Sequence, residues 1–167
     1  TGMRVGELSG LKWEDINFLD DTITVCRSEK YSRLKKEYYI STTKNDKVRI
    51  LPLTKEMKDV LRRVKKKEME GGYLCEFVFS NEKGRVHART ISDCARNNTM
   101  TEEFVNTKSI HAIRRTLNSN LRCEGVPTPI AASILGHVEK VNENNYTYDV
   151  SSMDTKRGYI EKAGKIS

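Results

Sequence analysis

The chain has little cysteine, little proline and no long apolar run. Its four cysteines, Cys26, Cys75, Cys94 and Cys123, stand far apart, and none belongs to a CxxC pair. That spacing argues against a structural zinc site. No acidic cluster of the kind that holds two metal ions is present, and no metal or other cofactor is expected. No stretch approaches the roughly 20 apolar residues of a membrane-spanning helix, and the chain lacks a leader with a basic start and an apolar centre. Without an export signal the thiols are expected to be reduced and the protein cytoplasmic. Repeats, low-complexity tracts and linker-like composition are also absent, so the 167 residues are expected to form one domain. Thr1 leads straight into a helical-looking run, as in an excised fragment with domains missing upstream.

What the chain has is charge. Lys and Arg number 30 against 23 Asp and Glu, a formal net charge of +7. A basic balance of this kind points to a polyanion, most simply nucleic acid. The hydrophobic fraction, 37%, is enough for one core.

Periodicity and turn chemistry predict a mainly helical α+β domain with a small antiparallel sheet. "RVGELSGLKWEDI" reads as a short helix ending near Gly10. "TITV", Thr22 to Val25, is β-branched and strand-like. The basic, tyrosine-bearing insert "CRSEKYSRLKKEYYIS" reads as a long hairpin loop ending in a strand around Tyr38 to Thr42. That strand and "VRILPL" flank an Asn-Asp turn, so the two are expected to pair as a hairpin with Lys44 at its tip. Thr54 is the expected cap of a helix whose apolar stripe is Met57, Val60, Leu61 and Val64, and Gly71-Gly72 end it. "FVFSNEKGRVHA" is a short strand, a turn at Lys83-Gly84 and an extended segment. "TISDCARNN" is a helix. Ser109 caps the next helix, with Ile110, Ile113, Leu117 and Leu121 on its buried face. Thr128-Pro129 open a further helix that stops at Gly136.

Five places along this chain carry candidate chemistry. Arg4 lies at a helix start, with Glu7 three residues on and able to orient it. Lys44 is on the hairpin tip. His111 and Arg114, in "HAIRRT", share a helix face offset from the apolar stripe. His137 follows Gly136, and Tyr146 lies nine positions beyond it, two before Tyr148. Each is unremarkable alone: arginines at helix starts and lysines in turns usually face water, and an HxxR pair is common by chance.

The ordered set is specific. "TGMRVGEL", "TKNDKVRILPL", "HAIRRT", "LGH" and "NNYTYDV" together resemble the tyrosine recombinase (phage integrase) family, over nearly the whole chain. The basic insert resembles integrases of conjugative transposons and phages from Gram-positive bacteria. The resemblance implies the C-terminal catalytic domain, with the upstream DNA-binding domains and the start of the catalytic domain lying outside this chain. It implies that Arg4 and Arg114 clamp a scissile phosphate, that Lys44 is the hairpin lysine, that His111 and His137 are the two active-site histidines, and that Tyr146 is the nucleophile. Here Tyr148 stands where the family often has histidine, and Arg115 stands where a histidine often follows the second arginine. Counting from His137 favours Tyr146 over Tyr148.

The chemistry suits those residues. Transesterification at a phosphodiester builds negative charge on nonbridging oxygens, which guanidinium groups stabilise in a bidentate way. The leaving 5′-oxygen needs a proton, which a lysine such as Lys44 can give, and His111 can accept or position the tyrosine proton. A covalent 3′-phosphotyrosyl bond stores the phosphodiester energy, so ATP is not required. The partners implied are double-stranded DNA and a homotetramer assembled on it by exchange of the C-terminal tail, with the isolated fragment a monomer and an accessory directionality factor a further partner. Two rival readings are a type IB topoisomerase and a non-catalytic DNA-binding module of the same fold.

Overall fold

The computed structural model describes residues 1–43, 46–98, 109–136 and 152–164. Helix α1 (Val5–Ser9) starts where the Glu7 carboxylate accepts the Arg4 amide at 2.7 Å, and it stops at Gly10. A 3₁₀ turn, Trp13–Asp15, leads into strands β1 (Ile16–Asn17) and β2 (Thr22–Val25), followed by β3 (Arg27–Ser32), β4 (Glu37–Thr42) and β5 (Arg49–Pro52). The remaining described elements are α2 (Lys55–Glu70), β6 (Ser80–Asn81), β7 (Gly84–Arg85), α3 (Ala88–Asn98), α4 (Ile110–Cys123), α5 (Thr128–Leu135) and α6 (Met153–Gly164). This is the expected α+β class, mainly helical with small antiparallel sheets. Among the described residues no helix is long and apolar enough to cross a membrane.

The strand pairing differs from the expected hairpin. β4 pairs with β3, in register from Arg27 opposite Thr42 to Ser32 opposite Glu37. β5 pairs instead with β2, and β2 with β1, so the sheet order is β1-β2-β5. The two strands flanking Lys44 therefore belong to different sheets. Burial explains the choice. Ile23 and Val25 of β2 and Leu51 of β5 are all buried and close one face of the core, whereas β4 is exposed along most of its length and has no apolar face to offer β5. The basic insert is thus a complete hairpin of its own. Lys44 and Asn45 lie outside the described residues. On either side of them Thr43 Oγ1 donates to the Lys47 carbonyl at 2.6 Å and the Asp46 amide reaches the Thr43 carbonyl at 3.1 Å.

The helix ends follow the sequence closely. Thr54 caps α2 through the Met57 amide, and Gly71 closes it through the Lys67 carbonyl. Ser109 Oγ accepts the Ala112 amide at the start of α4. Gly136 ends α5 in the left-handed conformation, φ 63°, with its amide on the Ala132 carbonyl.

Two helix faces are rotated from the expected ones. On α2 the inward residues are Met57, Leu61, Val64 and Glu68, and Val60 is exposed. On α4 the inward row is Ile110, Arg114, Leu117 and Leu121, and Ile113 is exposed. At about 100° per residue, Arg114 projects about 20° from Leu121 and about 40° from Ile110, whereas Ile113 lies about 100° away from Arg114. Arg114 is therefore in the apolar row, not offset from it.

The core has two parts. Met3, Leu11, Ile23, Val25, Leu51, Leu53 and Leu61 belong to a cluster that joins the sheet to α1 and α2. Leu121, Val126, Ala131, Leu135 and Ala163 form a second, between α4, α5 and α6, and Ile130 packs against both. α6 rests on α4 of the same chain, where Asn120 Nδ2 donates to the Ala163 carbonyl at 3.0 Å.

Candidate active site

A single carboxylate organises the place where these clusters meet. Glu7 has a side chain only 1% exposed. Its Oε2 accepts the Arg4 amide at 2.7 Å and Arg49 NH2 at 2.7 Å, and its Oε1 accepts Arg4 NH1 at 2.9 Å and Arg49 NH1 at 3.0 Å. Four donors saturate it. Burial pushes the carboxyl pKa up, but the bonds and charge of Arg49 and the donors of Arg4 outweigh burial and hold it below the ordinary glutamate value.

The C-terminus of α5 completes the site. Its last carbonyls carry the negative end of the helix dipole and are free to accept. Arg4 NH2 donates to the Gly136 carbonyl at 2.8 Å, and Arg114 NH2 donates to the Leu135 carbonyl one residue earlier. Arg114 NH1 donates to the Gly2 carbonyl, so this guanidinium ties α4 to both the chain start and α5. Two glycines make the approach possible. Gly2 (φ +63°) faces Leu117 and Leu135, with a side chain at position 2 placed 2.7 Å from Leu135 Cδ2. At Gly136 an added Cβ would lie 2.7 Å from Arg49 NH1 and 2.9 Å from its Cζ. A side chain there would strike the guanidinium and occupy a left-handed conformation that L residues disfavour.

Three guanidinium groups thus surround one carboxylate. Arg114 feels this most: burial first, then the charges of Arg4 and Arg49, lower its pKa to about 10, with Glu7 opposing. It remains cationic at neutral pH. The group carries a surplus of two positive charges: three cations against one anion. Arg4 is the member most open to solvent, its side chain 32% exposed against 11% for Arg49.

Of the six candidate residues, Arg4 and Arg114 are brought to consecutive carbonyls of the same helix end. His111 is exposed at the first turn of α4, about 60° round the helix from Arg114. Lys44, His137 and Tyr146, together with Tyr148, lie outside the described residues, although Gly136, the neighbour of His137, is itself part of the site. Arg49 was missed by the sequence reading. Its signal lies in "VRILPL": in a strand, Arg49 shares a face with the buried Leu51 and Leu53, so it needs a buried partner.

The model of the phage integrase family matches residues 1–152. A tyrosine recombinase XerC-like protein of Caldanaerobacter subterraneus subsp. tengcongensis is 29% identical over 175 aligned positions, covering 93% of this chain and 44% of that protein. The tyrosine recombinase XerC of Pediococcus pentosaceus is 27% identical, covering 89% of this chain and 46% of that protein. The chain therefore spans less than half the length of these two relatives. Among solved structures, the Tn1549 transposon integrase in complex with transposon right end DNA superposes with a TM-score of 0.70 at 26% identity, covering 96% of this chain and 55% of that one. XerA recombinase superposes with a TM-score of 0.64 at 21% identity, covering 96% of this chain and 48% of the other, a likeness of fold alone. A family match over most of the chain, and a fold shared with an integrase, lead to one assignment: the chain belongs to the phage integrase family and has the fold of a tyrosine recombinase catalytic domain.

Proposed function

We propose that this chain is the catalytic part of a site-specific DNA recombinase that cuts and rejoins DNA through a 3′-phosphotyrosyl intermediate, to integrate or excise a mobile element. The observation that carries the reading is the cationic surplus at the end of α5, where Arg4 and Arg114 converge. A phosphodiester placed against this group meets Arg4 on its open side, while Arg114, 3% exposed and bonded to the Gly2 and Leu135 carbonyls, supplies a fixed positive charge behind it as charge builds on the nonbridging oxygens. Tyr146 attacks phosphorus and the bond to the 5′-oxygen breaks. The phenolic proton passes to His111, and Lys44 gives a proton to the departing oxygen. His137, next to Gly136, adds a donor to the phosphate. The free 5′-hydroxyl of a second strand then reverses the step, releasing Tyr146 and completing exchange. DNA-bound integrase among the similar structures supports DNA as the substrate, as does the net charge of +7. Assembly as a tetramer on two duplexes by exchange of the C-terminal tail, and control by a directionality factor, belong to the same proposal; α6, packed here on α4 of its own chain, leaves that place when the tail passes to a neighbour.

The test is adduct formation by the full-length protein on a nicked suicide substrate, followed by peptide mapping. Tyr146 is expected to carry the DNA, and Tyr146→Phe is expected to form no adduct. An adduct on Tyr148, or an undiminished one in Tyr146→Phe, would overturn the choice of nucleophile. No adduct in the wild type would overturn the function. Relaxation of a two-site plasmid without recombination would instead identify a topoisomerase.

A further inference from the structure

The arrangement around Glu7 raises a problem of charge. A carboxylate fully buried beside Arg4 would neutralise it and weaken its hold on a phosphate. The Arg4 guanidinium and backbone amide both bind this carboxylate, so Arg4 alone could not both serve Glu7 and stabilise developing charge.

Arg49 resolves it. Its two terminal nitrogens meet the two Glu7 oxygens at 3.0 and 2.7 Å, the paired fork geometry that makes an arginine–carboxylate bond strong. Its side chain is more buried than that of Arg4, and Arg49 Nε is buried with no hydrogen-bond partner. Gly136 lies across the guanidinium and brings the main chain close to it. Arg49 is therefore less open than Arg4, and what sets it apart from Arg114, itself only 3% exposed, is its paired bond to Glu7, which Arg114 does not touch. We propose, resting on the recombinase reading, that Arg49 is a positioning residue: it takes up the charge of Glu7, so that Arg4 and Arg114 stay fixed yet keep their positive charge for the scissile phosphate.

Counting charges makes this testable. With Arg49 present the group is three cations and one anion. In Arg49→Gln it falls to two cations and one anion, and of the arginines only Arg4 then hydrogen-bonds Glu7, whose charge also offsets that of Arg114. In the double variant Glu7→Gln/Arg49→Gln the anion goes as well, and Arg4 and Arg114 again carry two uncompensated charges. The glutamine at position 7 still offers an oxygen to the Arg4 amide, and the two introduced carboxamides can bond each other without charge. Two residues in contact couple in stability whatever their role; compensation of charge is read in the cleavage rate, which the second substitution restores, whereas a purely structural strap leaves the double variant as slow as Arg49→Gln.

The experiment is single-turnover cleavage of a suicide substrate by full-length wild type, Arg49→Gln, Arg49→Lys and the double variant, with DNA affinity and thermal melting measured beside it. Arg49→Gln is expected to cleave about a hundredfold more slowly, the size of effect seen when one fixed donor is lost from such a site, with affinity changed only a few-fold. Arg49→Lys, which keeps the charge and loses the fork, should be slowed less, by about tenfold. The double variant should recover to within about tenfold of wild type. Wild-type cleavage by Arg49→Gln, or a double variant as slow as Arg49→Gln, overturns the inference and leaves the recombinase reading standing. If Arg49→Gln alone does not fold, the double variant decides: folding and cleavage within that tenfold support the inference, and failure of either overturns it. A wild type that never cuts overturns the function, and this inference with it.

Discussion

Glu7 and Glu68 are each only 1% exposed, and each is saturated with donors, yet they do opposite things with their charge. Glu68 receives Trp13 Nε1 at 3.1 Å, Ser80 Oγ at 2.6 Å and Lys65 Nζ at 3.1 Å. One lysine balances one carboxylate there, and two neutral donors fill the remaining lone pairs. Lys65 also lies over the Trp13 ring, 4.7 Å from its centroid, which closes the cluster on itself. Nothing is left over for a ligand. Glu7 instead has three arginines about it and leaves two positive charges unanswered. Burial and hydrogen-bond satisfaction are alike at the two carboxylates; what differs is the local sum of charge, and on the proposed reading that difference marks Glu7 as part of the active site and Glu68 as structural.

The largest effect that can break this comparison is on chemistry. Arg114→Ala removes one of the surplus cations and leaves the Gly2 and Leu135 carbonyls without their donor. In the full-length protein cleavage should fall by at least about a hundredfold, as when one donor to a developing oxyanion is lost, while most DNA affinity survives. Single-turnover cleavage with a parallel binding titration measures both. Normal cleavage would show that the surplus at Glu7 is not catalytic.

Next come the two carboxylates themselves. Glu7→Gln strips the anion from a buried cluster of arginines and should cost about 3 kcal/mol, as for breaking a buried pair. Glu68→Gln keeps a carbonyl for Trp13 or Ser80 and loses only a half-exposed lysine, so about 1 kcal/mol is expected. Urea melts give both numbers. Only the Glu7 change should reach cleavage. The two should also differ with pH. The folded carboxyl of Glu7 is held below its unfolded value, so between the two values the unfolded chain binds more protons. The Glu7 contribution is therefore complete above the unfolded pKa of about 4.3 and lost as pH falls through the lower folded value. Glu7→Gln should flatten the acid limb of the stability curve in that window. An acid limb unchanged by the substitution would mean that the arginines do not bear on Glu7 as drawn.

Gly136 tests the site more gently. Alanine there must take φ near +63° and sit 2.7 Å from Arg49 NH1. The left-handed backbone alone costs about 1–2 kcal/mol, and Arg49 must shift in addition. A Gly136→Ala protein is expected to melt lower and to cleave more slowly, whereas Gly72→Ala, with open space around it and a similar φ of +68°, should show the stability loss without the loss of cleavage.

How much of this could be read from residues differs between the same regions. Caps and stops at Thr54, Gly71, Ser109 and Gly136 are local events, fixed by a few neighbouring residues, and they stand where the sequence put them. The α+β class and the position of Arg4 beside Glu7 are likewise local. Strand pairing is not. "EYYIST" and "RILP" are close in the chain and both strand-like, yet β5 leaves β4 for β2 because β2 has the buried face. Arg49 escaped for the same reason: its partner, Glu7, lies 42 residues away in the chain. The other residues proposed for the site, Lys44, His137 and Tyr146, rest on a family pattern and lie outside the described residues, since spacing alone does not bring distant segments together.

The smallest effect concerns α4, where the sequence reading put Ile113 in the core and the structure puts Arg114 there. Apolar counting favours Ile113, because an arginine in a buried row normally costs its desolvation. Here the carbonyls of Gly2 and Leu135 receive the guanidinium, so the helix can turn its charged residue inward and leave Ile113 at 44% exposure. Ile113→Thr should therefore change stability by no more than about 0.5 kcal/mol, the range of ordinary surface substitutions. Leu121→Ala, in a fully buried position on the same helix, should cost about 2–5 kcal/mol. Equilibrium denaturation of the two variants settles which face is inward. Comparable losses for both would return Ile113 to the core, and would turn Arg114 away from the end of α5.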